Sequence, residues 1–363
     1  MNILITGGTG FIGGALSREL KNSGHTVIVT TRQQITPKNN VNPPSPAFNK
    51  EGNIGKDFSK GKDLLSPPLE KGDVGGFLEK HTWDTSELIP STVISKMDAV
   101  INLAGEPIAS GRWTRKRKEL LLSSRINTTR ALVESMKQIP LNPPAPPFEK
   151  GGQGGILKGH RRGLPKILIS ASAIGYYGAH GDEYVTEDTP PASDFLAEVC
   201  KAWEAEALKA QELGVRVVLV RIGGVLESDG GALPKMMIPF KFFMGGHIGN
   251  GKQWFSWIHR DDIAGIIKYA LENNSISGPV NLTAPEPVTN KEFSYALAKA
   301  LSRPSWLSVP GFIVKLTLGE LGGVLLTGQR VIPEKILTAG YKFKYTEVNE
   351  ALRAIFNGES KPR

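Results

Sequence analysis

One cysteine in 363 residues, Cys200, excludes an internal disulfide and a cysteine-built metal site, and no metal is expected. Such sparse use of cysteine is the habit of chains kept in reducing surroundings, and Cys200 reads as a small buried apolar residue. No apolar stretch reaches the roughly 20 residues that a bilayer span needs. The nearest, residues 311–328, is broken by Lys315 and Glu320. The first residues already carry a strand pattern, so neither a signal peptide nor membrane contact is expected, and the expected location is cytoplasmic. Aromatic residues make up 7% of the chain, and no aromatic–basic recognition motif accompanies the net charge of +9. Nucleic acid is therefore not an expected partner. The basic run Arg112, Arg115, Lys116, Arg117 and Lys118 leads into Leu120, Leu121 and Leu122, as a solvated helix face would.

The 41 glycines and 25 prolines are unevenly spread. Residues 42–50 echo residues 142–150, and residues 67–78 echo 146–157, in a Pro/Gly/Lys-rich composition too poor in apolar surface to offset ordering entropy. Segments 37–80 and 140–163 are read as inserted loops of common origin. With these set aside, apolar runs at 2–6, 25–30, 99–103, 165–172 and 215–221 alternate with helical spacing at 11–22, 114–138 and 194–212. Strands alternating with helices predict a parallel sheet covered on both faces. The expected fold is α/β, a Rossmann-type doubly wound sheet over 1–225, with a smaller mixed C-terminal substrate lobe over 226–363.

The first strand runs into Gly7, Gly8, Thr9, Gly10, Phe11, Ile12 and Gly13. Glycines at 7, 10 and 13 suit a tight turn, close approach to a pyrophosphate, and close packing of helix on strand. The N-terminus of the following helix would face the phosphates. The second strand closes on Thr30, Thr31 and Arg32, with no acid to receive a ribose 2′-hydroxyl. A guanidinium there suits a 2′-phosphate, so NADP (NADPH) is expected over NAD.

Four tracts together carry a family resemblance: residues 7–13, 102–108 (NLAGEPI), 170–178 (SASAIGYYG) and 257–262 (WIHRDD). They resemble the nucleotide-sugar-epimerase-like branch of the extended, atypical short-chain dehydrogenases, and most closely the "epimerase family protein" group. That group has a characteristic C-terminal domain, matched by residues 326–331 and 333–335. The resemblance implies that Asn102, Leu103, Ala104 and Gly105 lie along the cofactor, and that Asn127 steadies the active-site helix. It implies that Ser172 bonds the reacting oxygen, that Arg221 and its successors border the nicotinamide, and that residues 259–262 join the lobe to the core. Active relatives also carry Tyr-x-x-x-Lys after the fifth strand. The corresponding helix here has Lys201 with Ala197 four residues earlier, and the pair Tyr295 and Lys299 is read as coincidence. A proton donor would then come from Tyr176 or Tyr177, with Glu106 and His259 as further candidates.

Lys235, Gln253 and the aromatic residues Trp254, Phe255 and Trp257 are expected either to line a substrate lobe or to form its core. Two functions stay open: an NADP-dependent oxidoreductase or epimerase-like enzyme on an unknown small molecule, and a weakly catalytic, cell-division-inhibitor-like regulator that binds NADPH. A homodimer is compatible with either, though the sequence does not fix the oligomeric state.

Overall fold

The computed structural model describes residues 1–31, 79–83, 87–140 and 163–357. The expected insertions fall almost wholly outside these residues, as does Arg32. Seven strands form one sheet: β1 Asn2–Thr6, β2 Thr26–Thr31, β3 Glu79–Thr82, β4 Ala99–Asn102, β5 Ile167–Ala173, β6 Arg216–Ile222 and β7 Gly278–Leu282. Their spatial order is β7-β6-β5-β4-β1-β2-β3, and every neighbouring pair is parallel. The chain reverses direction across the sheet between β1 and β4, the switch point of a doubly wound fold.

Strand periodicity explains why both faces are covered. Ile3, Ile5, Ala99, Ile101, Ile167 and Ile169 belong to one buried cluster, while Leu4, Val100 and Leu168 belong to another. On the first face lies helix α1 Phe11–Asn22, which buries Gly13, Leu16, Ser17 and Leu20 along one stripe. Leu16 and Leu20 are wholly enclosed, and each such burial is worth about 1.5–3 kcal/mol. The opposite face receives α2 Arg115–Lys137, whose start is fixed by the Thr114 hydroxyl accepting from the Arg117 N–H. Helix α3 Phe195–Leu208 begins in the same way, with the Asp194 carboxylate accepting from the Ala197 N–H.

The edge strand β3 was not foreseen. Its sequence, Glu-Lys-His-Thr, offers no apolar run, and among the described strands it pairs with β2. Two of its residues lie within the segment read as an insertion.

Beyond β6, helices α4 Leu233–Lys241, α6 Asn290–Ala300 and α9 Val348–Asn357 surround a separate core containing Phe240, Trp257, Phe293, Leu297 and Leu352. Short strands there pair both parallel and antiparallel, which makes this lobe mixed. Between those elements the chain returns to the sheet, with α5 Arg260–Glu272 packing against α1 before β7 takes the edge. Helices α7 Gly311–Leu318 and α8 Glu320–Leu326 form a hairpin on the lobe's outer side. No helix among the described residues is long and apolar enough to cross a membrane.

Candidate active site

Residues 7–10 turn from β1 into α1 at the switch point. Gly7 has φ +72°, and a Cβ there would lie 3.0 Å from the Leu103 carbonyl and the Ala104 nitrogen. The loops after β1 and β4 therefore meet backbone to backbone. Gly13 presses on the same turn, where a Cβ would fall 2.2 Å from the Gly7 carbonyl oxygen. Gly10 is the N-cap of α1 without a side-chain hydrogen bond, and the first turn holds no acid. The first-turn N–H groups thus have no side-chain cap, and the helix dipole adds positive potential. Thr9 and Gly10 are exposed, while Phe11, Ile12, Leu103, Ala104 and Gly105 are half-buried around them. This cradle fits a pyrophosphate. Thr31 ends β2, and Arg32, on which the choice of NADP rested, lies outside the described residues.

A loop from the second lobe covers the cradle's edge. The Phe11 ring lies against Gly230, where a Cβ would come 2.4 Å from its Cδ2, and the Arg260 guanidinium sits 5.2 Å from the ring centroid. Arg260 in turn donates to Glu227 at 3.0 Å and Asp229 at 2.5 Å, which anchors that loop. Under the cradle, Thr6 donates to Asn102 at 2.7 Å, and both Asn102 and Trp203 donate to the Thr129 hydroxyl. This buried chain of bonds fixes the ends of β1 and β4 to α2 and α3. Asn127 takes no part in it. It is exposed on α2, and Arg125, Thr128 and Thr129 occupy the inward face instead.

At the end of β5, Ser172 donates to Glu204 at 2.6 Å. Glu204 receives two further bonds from the Arg221 guanidinium, each 2.9 Å long. Arg221 also donates to the Tyr177 hydroxyl at 2.9 Å, and Tyr177 donates to Asn281 at 2.6 Å. All five residues are buried. Burial works against the charge on Arg221, but the hydrogen bonds and attraction of Glu204 outweigh it and raise its pKa. Burial pushes the Tyr177 hydroxyl up to about 12, against the nearby arginine. Tyr177 is wholly enclosed, whereas Tyr176 is half-buried with its ring 3.5 Å from the Arg221 guanidinium.

Lys201 points to solvent and Ala197 into the core. The pair one turn apart that faces β5 is Cys200 and Glu204, with the Cys200 thiol 3.6 Å from the Ala173 carbonyl. Burial raises that thiol to about 11, so it is not a reactive thiolate. Sequence reasoning passed over Glu204 because a glutamate in a helix ordinarily marks a solvated face. Tyr295 and Lys299 are both exposed on the outer face of α6.

The remaining proton-donor candidates are engaged. Glu106 pairs with Arg117 at 3.4 Å. His259 is fully buried and caps α5, its Nδ1 accepting from the Asp261 N–H at 3.1 Å while its ring packs on Tyr345. Desolvation lowers its pKa to about 4, with Asp261 opposing and Lys344 and Arg260 assisting. An unfolded histidine binds its proton near 6.5, so below that pH the unfolded chain holds more protons than the folded one. Stability is therefore expected to fall as pH drops from 6.5 towards 4. Thermal melts of wild type and His259→Asn check this, the variant keeping a capping side chain and showing a shallower decline.

Ala232, Lys235 and Met236 begin the wall of a cavity of about 530 Å³ that reaches Ile174, directly after β5. Gln253, Trp254 and Phe255 line it, whereas Trp257 is fully buried in the lobe core with its indole N–H bonded to the Glu286 carbonyl. From the C-terminal region, Gln329 donates to the Ile174 carbonyl at 2.7 Å and so ties that region to the turn carrying Tyr176.

Comparison with known proteins places this geometry in context. The profile of the NAD-dependent epimerase/dehydratase family matches residues 3–282, and that of a domain of unknown function (DUF1731) matches residues 309–355. The chain is 39% identical over 355 residues to "Epimerase family protein SDR39U1 homolog, chloroplastic" of Arabidopsis thaliana, covering 98% of this chain and 86% of that one. It is 36% identical to "Epimerase family protein YfhF" of Bacillus subtilis over 97% of both. Among solved structures, human epimerase family protein SDR39U1 (isoform 2) with NADPH aligns at TM-score 0.73 and 30% identity, over 98% of this chain and 99% of that one.

Proposed function

The chain belongs to the NAD-dependent epimerase/dehydratase family, and from that premise we propose that it is an NADPH-binding oxidoreductase or epimerase-like enzyme acting on a small molecule. The observation that carries this reading is the uncapped start of α1, set against two glycines that leave no room for a Cβ. Residues 7–13 would hold the pyrophosphate, and Leu103, Ala104 and Gly105 would flank the ribose. The relative crystallised with NADPH supports the choice of that cofactor, as does Arg32 in the sequence. Bound NADPH supplies the hydride, so the chain need only bind, orient and polarise.

Ser172 and Tyr176 are the groups we assign to the substrate. Ser172 is the penultimate residue of β5, its hydroxyl donating to Glu204 so that an oxygen lone pair is left for a second partner. Tyr176 rests on the Arg221 guanidinium in the turn that follows. Tyr177 acts through Arg221 and Asn281 as a support for that turn. A cytoplasmic location, expected from the sequence, belongs to the same proposal.

A second reading is favoured by one feature: the helix facing Ser172 turns Cys200 and Glu204 towards it and carries no tyrosine–lysine pair one turn apart. A regulator that binds NADPH without turnover would tolerate that absence. A carbonyl-substrate screen following NADPH oxidation at 340 nm separates the two. Turnover that falls about 100-fold or more in Ser172→Ala supports the enzyme, in line with the loss of a hydroxyl that accepts from, and so orients, the proton-bearing group at the reacting centre. NADPH binding without turnover across the screen supports the regulator.

A further inference from the structure

We infer that the cavity beside Ile174 takes a ligand that is apolar over most of its length, with a single carbonyl or carboxylate end, and not a nucleotide sugar. This rests on the proposed function only in taking that ligand as the substrate. At about 530 Å³, the cavity is of the size that encloses a small organic molecule. Its walls come from α4, α6 and the α7–α8 hairpin, with Met236, Phe240, Phe293, Leu297, Val314 and Leu321 among the lining residues. Lys235 is the one charged residue among the described lining, and its ammonium already donates to the Ala109 carbonyl at 3.0 Å. A nucleoside diphosphate needs several cations or free N–H groups to replace its water. One lysine does not supply them.

The polar groups are unevenly placed, which orients the ligand. Ser256 and Gln329 gather with Ile174 at the end near β5, whereas the Gln253 amide is spent on the Ile248 and Leu325 carbonyls. At the other end the lining residues Met244, Ile313, Val324 and Leu325 are exposed, so the mouth has an apolar rim. Phe312 and Leu316 extend that rim without lining the cavity. A ligand entering there would put its apolar body between α4 and α7 and its polar end beside Ile174, two residues beyond Ser172. The role this gives to α7 and α8, both within the segment matched by a domain of unknown function, is to build the apolar wall of the site.

The test uses the full chain saturated with NADPH and cis-parinaric acid, a fluorescent fatty acid with one carboxylate. Saturable one-to-one binding is expected at about 10 μM or tighter, and UDP-glucose at millimolar concentration should not displace it. Thr317→Trp and Val324→Trp fill the mouth from exposed positions and should fold normally. Each is expected to weaken parinaric acid about 10-fold or more while leaving NADPH binding unchanged. Leu316→Ser, on the rim but outside the lining, should leave both unchanged.

Absence of saturable binding, displacement by UDP-glucose, or binding that ignores both tryptophan variants but vanishes in Leu316→Ser would overturn the inference. NADPH occupancy is read separately from nicotinamide fluorescence. Loss of NADPH binding with parinaric acid retained therefore counts against the cofactor reading alone.

Discussion

Glu204→Ala is expected to lower the unfolding free energy by about 3–5 kcal/mol, the usual consequence of stranding one member of a buried ion pair. The side chains of Arg221 and Glu204 are only 4% and 7% exposed, so water cannot take over from the lost carboxylate. Arg221 would keep the Tyr177 hydroxyl, the Glu187 carbonyl and the Tyr176 ring, none of which carries a compensating charge. Ser172 would lose its acceptor in the same step. Chemical denaturation followed by tryptophan fluorescence measures the loss. The double variant Glu204→Leu with Arg221→Met should recover part of it, because no unpaired charge then stays buried. A single variant as stable as wild type would show that the network contributes nothing to the fold around Ser172.

The second large effect concerns the cradle. Gly13→Ala places a methyl 2.2 Å from the Gly7 carbonyl oxygen, which is backbone and cannot rotate aside. The turn must open, and with it the alignment of the first-turn N–H groups on a pyrophosphate. NADPH affinity is expected to fall by about 100-fold or more, which corresponds to about 2.7 kcal/mol. The turn lies beyond the C-terminal end of β1 with Thr9 and Gly10 exposed, so the fold should persist. Far-ultraviolet circular dichroism unchanged from wild type, together with lost binding, is the expected pair of results. Wild-type affinity in Gly13→Ala would remove the cradle from the account.

The parts of this molecule legible in its sequence are those governed by local rules. Asn2–Thr6 and Phe11–Asn22 have the predicted bounds, because an apolar strand, three spaced glycines and a helical stripe leave little choice. Edge strand Glu79–Thr82 was hidden by its polar side chains, and the short lobe strands by having only two or three residues each. The cradle was legible for the same local reason as α1.

The groups around Ser172 were only partly legible. Tyr177 bonds Asn281 across 104 positions and Ser172 bonds Glu204 across 32, and no periodicity connects such partners. Glu204 went unremarked as an ordinary helical acid, and His259, a further proton-donor candidate in the sequence, is a buried helix cap. The cavity gathers lining residues from Ala109 to Gln329. Its apolar character emerges only when they meet.

Titration of the purified full-length protein with NADPH and with NADH, read by nicotinamide fluorescence, tests the central claim most directly. The account predicts saturable binding of NADPH, tighter than NADH by about 10-fold or more as an added charge-assisted contact would give, and loss of that preference in Arg32→Ala. Failure of the wild-type protein to bind either nucleotide would contradict it.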